Sequence, residues 1–144
     1  MSKADRRTFL RKSGMAIGGL AVSSLNLACI ATSAPRMKAD VNGSRILFET
    51  AIPELVRPGD AVSLESPFLE YPILLIRLQD ESFSAVSTQC THLGCEVRKE
   101  RTLLRCPCHE SAFDFNGNVL NGPAEIPLRH YRVAATGSIV EIQI

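Results

Sequence analysis

Two six-residue segments constrain this 144-residue chain more than anything else in it. The first reads Cys90-Thr91-His92-Leu93-Gly94-Cys95 and the second Cys106-Pro107-Cys108-His109-Glu110-Ser111. Each sets a thiol and an imidazole close together, and thirteen residues separate His92 from Cys106. Four soft or borderline donors in two tight pairs form the donor set of a metal site. Structural zinc needs only four ligands and usually pairs Cys with Cys and His with His. Here each segment mixes the types, and Cys95 and Cys108 are left over. The fifth cysteine, Cys29, lies far upstream, so the cysteines mark a site and not a scattered disulfide framework.

The sequence around these segments predicts strands. Arg45–Thr50, Ala61–Glu65, Ile73–Leu78 and Phe83–Thr88 are short runs with β-branched or aromatic residues. Turn signals such as Arg57-Pro58-Gly59-Asp60 and Gln79-Asp80-Glu81 separate them, and the last two runs read as a hairpin. Tyr131–Ala134 and Ser138–Ile142 follow the cysteine region, with Thr136-Gly137 as the turn. No run of helical period longer than about ten residues occurs after Pro35. The expected domain, residues 45–144, is all-β, with a loop-rich metal-binding part at 89–124. His130 reads as a surface strand residue and not as a ligand.

The N-terminal part is different. Residues 1–38 hold seven Lys/Arg and one acid, whereas 39–144 hold nine Lys/Arg and fourteen Asp/Glu. An acidic domain argues against nucleic acid as a partner. A basic head, Met1 to Gly14, runs into 23 uncharged residues from Ser13 to Pro35. That is the layout of an export signal or a membrane anchor, with the N-terminus in the cytoplasm and the domain outside. Arg6-Arg7 followed by Thr8-Phe9-Leu10 resembles a twin-arginine signal, whose route carries proteins already loaded with a cofactor. The stretch is long enough to span a membrane as a retained anchor helix. Ala31-Thr32-Ser33 also offers a small-residue cleavage site, so residues 1–35 are either anchor or cleaved signal. Cys29 reads as a small apolar filler and not as a lipidation site. Residues 36–44, within the turn-forming stretch 33–44, read as a flexible linker.

A cluster with two thiolates on one iron and two imidazoles on the other draws one of each from each segment. It also leaves Cys95 and Cys108 able to link the segments. At this point the paired motifs resemble the Rieske [2Fe-2S] proteins of cytochrome bc-type complexes, strongly from Gln89 to Pro123 and loosely over the strands. The resemblance implies an antiparallel β sandwich with a two-loop cluster-binding subdomain. It implies that Cys90 and Cys106 bind one iron and that His92 and His109 bind the outer one. It implies a Cys95–Cys108 disulfide, which fits an oxidising compartment. Gly122-Pro123-Ala124 matches the proline loop that covers the cluster. Leu93 would either pack on a quinone pocket or seal the cluster from water. Replacing two thiolates by neutral imidazoles makes adding an electron easier, in a range of about −150 to +300 mV.

Residues near the ligands tune that potential. Ser111 matches the family serine that donates to a cluster sulfide. Phe113 stands where high-potential members have a tyrosine, so one donor is missing. Glu110 replaces a common glycine and either opposes reduction with its carboxylate or is a plain solvated acid. The missing donor at Phe113, with the carboxylate of Glu110 where it faces the cluster, sets the expected potential below that of the high-potential members. The implied function is electron transfer, as the Rieske subunit of a membrane quinol:cytochrome c oxidoreductase. Its partners would be cytochrome b, a c-type cytochrome and quinol. The alternative is the small Rieske subunit of an exported molybdenum oxidoreductase of the arsenite oxidase kind. In neither would the chain be catalytic alone.

Overall fold

A computed structural model describes residues 33–144. The twin-arginine pair, Cys29 and all of the expected anchor or signal except residues 33–35 lie outside the described residues. Twelve strands follow in chain order: β1 (Arg36–Lys38), β2 (Val41–Asn42), β3 (Arg45–Glu49), β4 (Ala61–Glu65), β5 (Ile73–Arg77), β6 (Phe83–Ser87), β7 (Arg98–Lys99), β8 (Leu104–Arg105), β9 (Ala112–Phe113), β10 (Val119–Asn121), β11 (His130–Thr136) and β12 (Ile139–Gln143). One 3-10 turn, Pro53–Leu55, is the only helical element among the described residues. None of these elements is a helix long and apolar enough to cross a membrane.

The strands form an eight-stranded sheet, ordered β1-β4-β5-β6-β11-β12-β3-β2, and a four-stranded sheet, ordered β10-β9-β8-β7. All pairings are antiparallel except β1 with β4. The all-β class is as expected, and so is the β5–β6 hairpin, paired from Ile73↔Ser87 to Arg77↔Phe83.

The strand β5 explains how the two parts share one scaffold. Its run Ile73-Leu74-Leu75-Ile76 is buried throughout. Successive side chains of a strand point to opposite faces, so the run serves two cores. Ile73 and Leu75 join Val62, Leu64, Ile46, Val140 and Ile142 in the core of the large sheet. Leu74 and Ile76 join Val86, Val97, Leu104 and Phe113, with Cys90 and Cys106, beneath the metal-binding segments. A strand apolar on both faces is one covered on both sides. At about 1.5–3 kcal/mol for each fully buried Leu or Ile, this strand anchors both cores. On β12, by contrast, Val140 and Ile142 are buried and alternate with exposed or half-buried Ile139 and Glu141.

One expectation fails. Segment 36–44 is not a free linker. β1 runs along β4, with Arg36↔Ser63 to Lys38↔Glu65 in register, and Ala39 N donates to Glu65 O at 2.8 Å. β2 pairs with β3 through Val41↔Ile46, turning at Gly43-Ser44. Short polar strands carry little side-chain signal. The main-chain groups of the open β4 edge decide the matter, because unpaired edge N–H and C=O groups recruit any extended neighbour. Ser63 N donates to Pro35 O at 2.8 Å, so the pairing starts before Arg36.

Candidate metal centre

The two motif segments are hydrogen-bonded loops of the same design. In the first, Cys90 N donates to Cys95 O at 2.9 Å and Gly94 N donates to Cys90 O at 2.8 Å. In the second, Cys106 N donates to Ser111 O at 2.8 Å and Glu110 N donates to Cys106 O at 3.0 Å. Both loops close on a residue with positive φ at the same offset, Gly94 at 77° and Glu110 at 62°. The left-handed conformation is easy for glycine and costs a side-chain-bearing residue roughly 1–2 kcal/mol. A Cβ at Gly94 would lie 3.5 Å from Tyr71 Oη, an ordinary contact, so conformation and not space requires glycine there.

Sheet strands hold both loops at their bases. The first leaves β6, and Val97 N donates to Thr88 O at 2.7 Å just beyond the isolated Gln89↔Glu96 bridge. The second connects β8 to β9, which pair through Leu104↔Phe113 and Arg105↔Ala112. Cys95 and Cys108 form a disulfide that ties loop to loop, with Cα atoms 6.5 Å apart. The Cys106 sulfur lies within 4.8 Å of both bridge sulfurs. Cys90 and Cys106 are buried and form no disulfide among the described residues.

The third wall is the proline loop at residues 122–127. Its Gly122-Pro123 peptide is cis. Ala124 N donates to Ser111 Oγ at 3.0 Å, and Thr91 Oγ1 donates to Ile126 O at 2.7 Å. Each cysteine loop is thus pinned to the proline loop by one hydroxyl. Ser111 is fully buried and accepts from Ala124, which leaves its own proton to donate elsewhere.

These residues fit a metal cluster. Two buried thiols, two imidazoles and a buried hydroxyl converge in one place. The His92 and His109 rings stand edge to face, their centroids 4.9 Å apart. Among the described residues, buried His92 Nδ1 finds no hydrogen-bond partner. A buried polar atom without a partner costs about 1–3 kcal/mol, and a metal bond is the partner that an imidazole nitrogen would find here. Burial pushes the Cys90 thiol pKa up, and hydrogen bonding with Cys106 adds to the rise. Metal coordination offsets that penalty, since a coordinated thiol is deprotonated outright.

The sequence-predicted residues separate into three groups. Cys90, His92, Cys106, His109, Cys95, Cys108 and Ser111 come together. Phe113 is fully buried on β9, two residues past Ser111, in the core beneath the loops. Glu110, Leu93, Gly122 and Pro123 are exposed, Leu93 by 68%. Leu93 is therefore not packed beneath other residues of the chain. His130 is exposed on β11, away from both loops in sequence and pairing, as expected. Sequence reasoning missed the strain at Glu110, though its offset from Cys106 repeats that of Gly94 from Cys90. It also missed Arg36, which binds Glu65 and reaches Glu96 at 3.1 Å beside the first loop.

Fold and site together define a protein that carries a [2Fe-2S] cluster on two bridged loops. The chain belongs to the Rieske [2Fe-2S] domain family, which it matches over residues 51–132. Its cofactor is accordingly a [2Fe-2S] cluster. Among relatives, it is 35% identical over 65 residues to the cytochrome b6-f complex iron-sulfur subunit of Chlorobaculum tepidum, covering 44% of this chain and 36% of that one. It is 27% identical over 143 residues to the subunit of the same name from Chlorobaculum thiosulfatiphilum, covering 96% and 75%. The chain thus spans about a third of the first relative and three quarters of the second. The crystal structure of the plasma membrane Rieske protein from Synechocystis PCC 6803 matches with a TM-score of 0.53 and 29% identity, over 58% of this chain and 86% of that one. The ferredoxin of carbazole 1,9a-dioxygenase from Nocardioides aromaticivorans shares the fold, with a TM-score of 0.53 at 21% identity over 67% of this chain and 96% of that one.

Proposed function

We propose that this chain is the one-electron carrier of a membrane quinol:cytochrome c oxidoreductase of bc type, with Cys90 and Cys106 on the inner iron and His92 and His109 on the outer. The observation that carries the reading is the convergence of two equivalent loops, joined by Cys95–Cys108, on a buried His92 Nδ1 that has no partner among the described residues. The names of the Chlorobaculum relatives support the choice of complex. When bound, the cluster supplies a reversible one-electron site at a potential raised by its neutral ligands.

The protein's own residues do the rest. Buried Cys90 and Cys106 face the core and keep water from the inner side. His109 lies at the exposed tip, where it can hydrogen-bond a quinol and take up its proton. The disulfide holds the loops together, and Ser111 offers its proton to the cluster side while accepting from Ala124. Gly122, Pro123 and Leu93 cover the tip. Residues 1–35 would serve as twin-arginine signal or anchor, placing the domain on the extracytoplasmic side.

One observation favours the alternative, a small subunit of an exported molybdenum oxidoreductase. With β1 and β2 built into the sheet, no free linker exists at 36–42 for the head to swing on. Purification from native membranes separates the two readings. Co-purified b- and c-type haem supports the bc-type complex, and a co-purified molybdopterin subunit overturns it.

A further inference from the structure

A cavity of about 480 Å³ lies between the large sheet and the cysteine loops, and none of Cys90, His92, Cys106 and His109 lines it. Ser63 on β4 and Leu74 on β5, partners across the strand pair, line it from the sheet side. The Cys95–Cys108 bridge and residues Glu96 to Lys99 line it from the loop side. Arg36 of β1, in register with Ser63, lines one edge. Ser63 is the residue that asks for an occupant. It is 6% exposed, and its buried Oγ finds no hydrogen-bond partner among the described residues. Alternation along β4 sends Val62 and Leu64 into the core of the large sheet and Ser63 to the opposite side, toward Leu74 and the cavity. A buried hydroxyl without a partner carries an uncompensated desolvation penalty, which a bound acceptor removes.

The charge around the cavity says what kind of acceptor. Three cations line it, Arg36, Arg98 and Lys99, against one acid, Glu96. Arg36 is committed to Glu65 and Glu96. Lys99 Nζ donates to Glu100 O at 3.2 Å, and Lys99 also borders a neighbouring cavity with Glu54 and Asp60. Glu100 itself pairs with Arg105 at 2.9 Å. Arg98 forms no ion pair among the described residues. The lining is therefore positive in a domain that holds fourteen acids against nine Lys/Arg. Residues 1–32 hold five Lys/Arg and one acid, Asp5, so the leading part of the chain is no source of anions. Ala34, Leu74, Val97 and Pro107 give the cavity apolar wall as well. We propose that it binds a small soluble amphipathic anion, an oxyanion head on a short apolar body, with Ser63 Oγ donating to the head and Arg98 supplying the countercharge. The volume suits such a ligand and is too small for the paired acyl chains of a membrane phospholipid. The site rests on the fold alone and not on which complex the chain serves.

Calorimetric titration of the cluster-loaded full chain with octyl phosphate tests this and should show one site per chain. Inorganic phosphate, the head alone, and octanol, the body alone, should each bind about tenfold more weakly or worse. Ser63→Ala should weaken octyl phosphate binding about tenfold. The same variant without ligand should keep or raise the parent's urea midpoint, because it removes an unsatisfied hydroxyl. Arg98→Gln should weaken binding about threefold or more and reduce its salt dependence. Arg132→Gln, exposed on β11, should bind like the parent. Absence of saturable octyl phosphate binding means a cavity that holds only water and overturns the inference. So does inorganic phosphate that binds as tightly, or a Ser63→Ala variant that binds like the parent or unfolds at lower urea. An Arg132→Gln variant as weak as Arg98→Gln would make net charge responsible and overturn it too.

Discussion

The two cysteine loops have the same backbone and different sequences. Each begins with a buried cysteine whose N–H closes the loop five residues on, and each turns at its fifth residue with positive φ. The first loop has glycine at the turn and the second has glutamate. The first half-buries its histidine and the second exposes it. The hydrogen-bond frame is therefore fixed by the need to present a thiol and an imidazole two or three residues apart. The residue at the turn is free to vary at an energetic cost. Glu110 accepts that cost and puts a charge at the tip, where Gly94 puts none.

The largest expected effect comes from separating the loops. Cys95→Ser/Cys108→Ser removes a crosslink spanning 13 residues and should lower stability by about 3 kcal/mol, seen as a urea midpoint below the parent's. Loss of bound iron during the same titration would show that the bridge also holds the site together. Unchanged stability would mean that the loops stand independently. Next, Ser111→Ala removes the hydroxyl that accepts from Ala124 and donates toward the cluster. It should cost about 1 kcal/mol of stability, and by removing a hydrogen bond of similar strength from the reduced state it should lower the midpoint potential by roughly 40 mV.

A smaller pair tests the shared turn directly. Gly94→Ala should destabilise by about 1 kcal/mol, whereas Glu110→Gly should stabilise by about 0.5 kcal/mol once the extra freedom of glycine in the unfolded chain is counted. Chemical denaturation of the two variants should give opposite signs. Equal signs would show that the loops do not share the turn. The smallest effect is Phe113→Tyr, which adds a hydroxyl on a fully buried ring two residues past Ser111. Redox titration should show a higher midpoint, and an unchanged or lower one would remove the account of Phe113 as a missing donor.

How much of this was legible in the sequence differs between regions for physical reasons. The long strands were legible because burial on one or two faces leaves a pattern, as in Ile73-Leu74-Leu75-Ile76. Strands β7 to β10 were not, since a strand of two or three residues is too short to show a period and forms because its neighbours supply the partners. Segment 36–44 reads as linker in the sequence because main-chain bonding, such as that of β1 to the β4 edge, leaves no side-chain signature. The donor set was legible because metal chemistry restricts residue types at fixed spacing. The two hydroxyl pins, Thr91 to Ile126 and Ser111 to Ala124, join residues 35 and 13 positions apart, and no local pattern announces them.

The central claim is that the two loops contribute one thiolate and one imidazole each to a single cluster. Pulsed EPR of the reduced protein tests it most directly, by counting the histidine nitrogens coupled to the electron spin. The account predicts two coupled nitrogens in the parent protein and loss of one in whatever cluster survives in His92→Cys and, separately, in His109→Cys. A parent spectrum without nitrogen coupling, or two couplings retained in either variant, would contradict it.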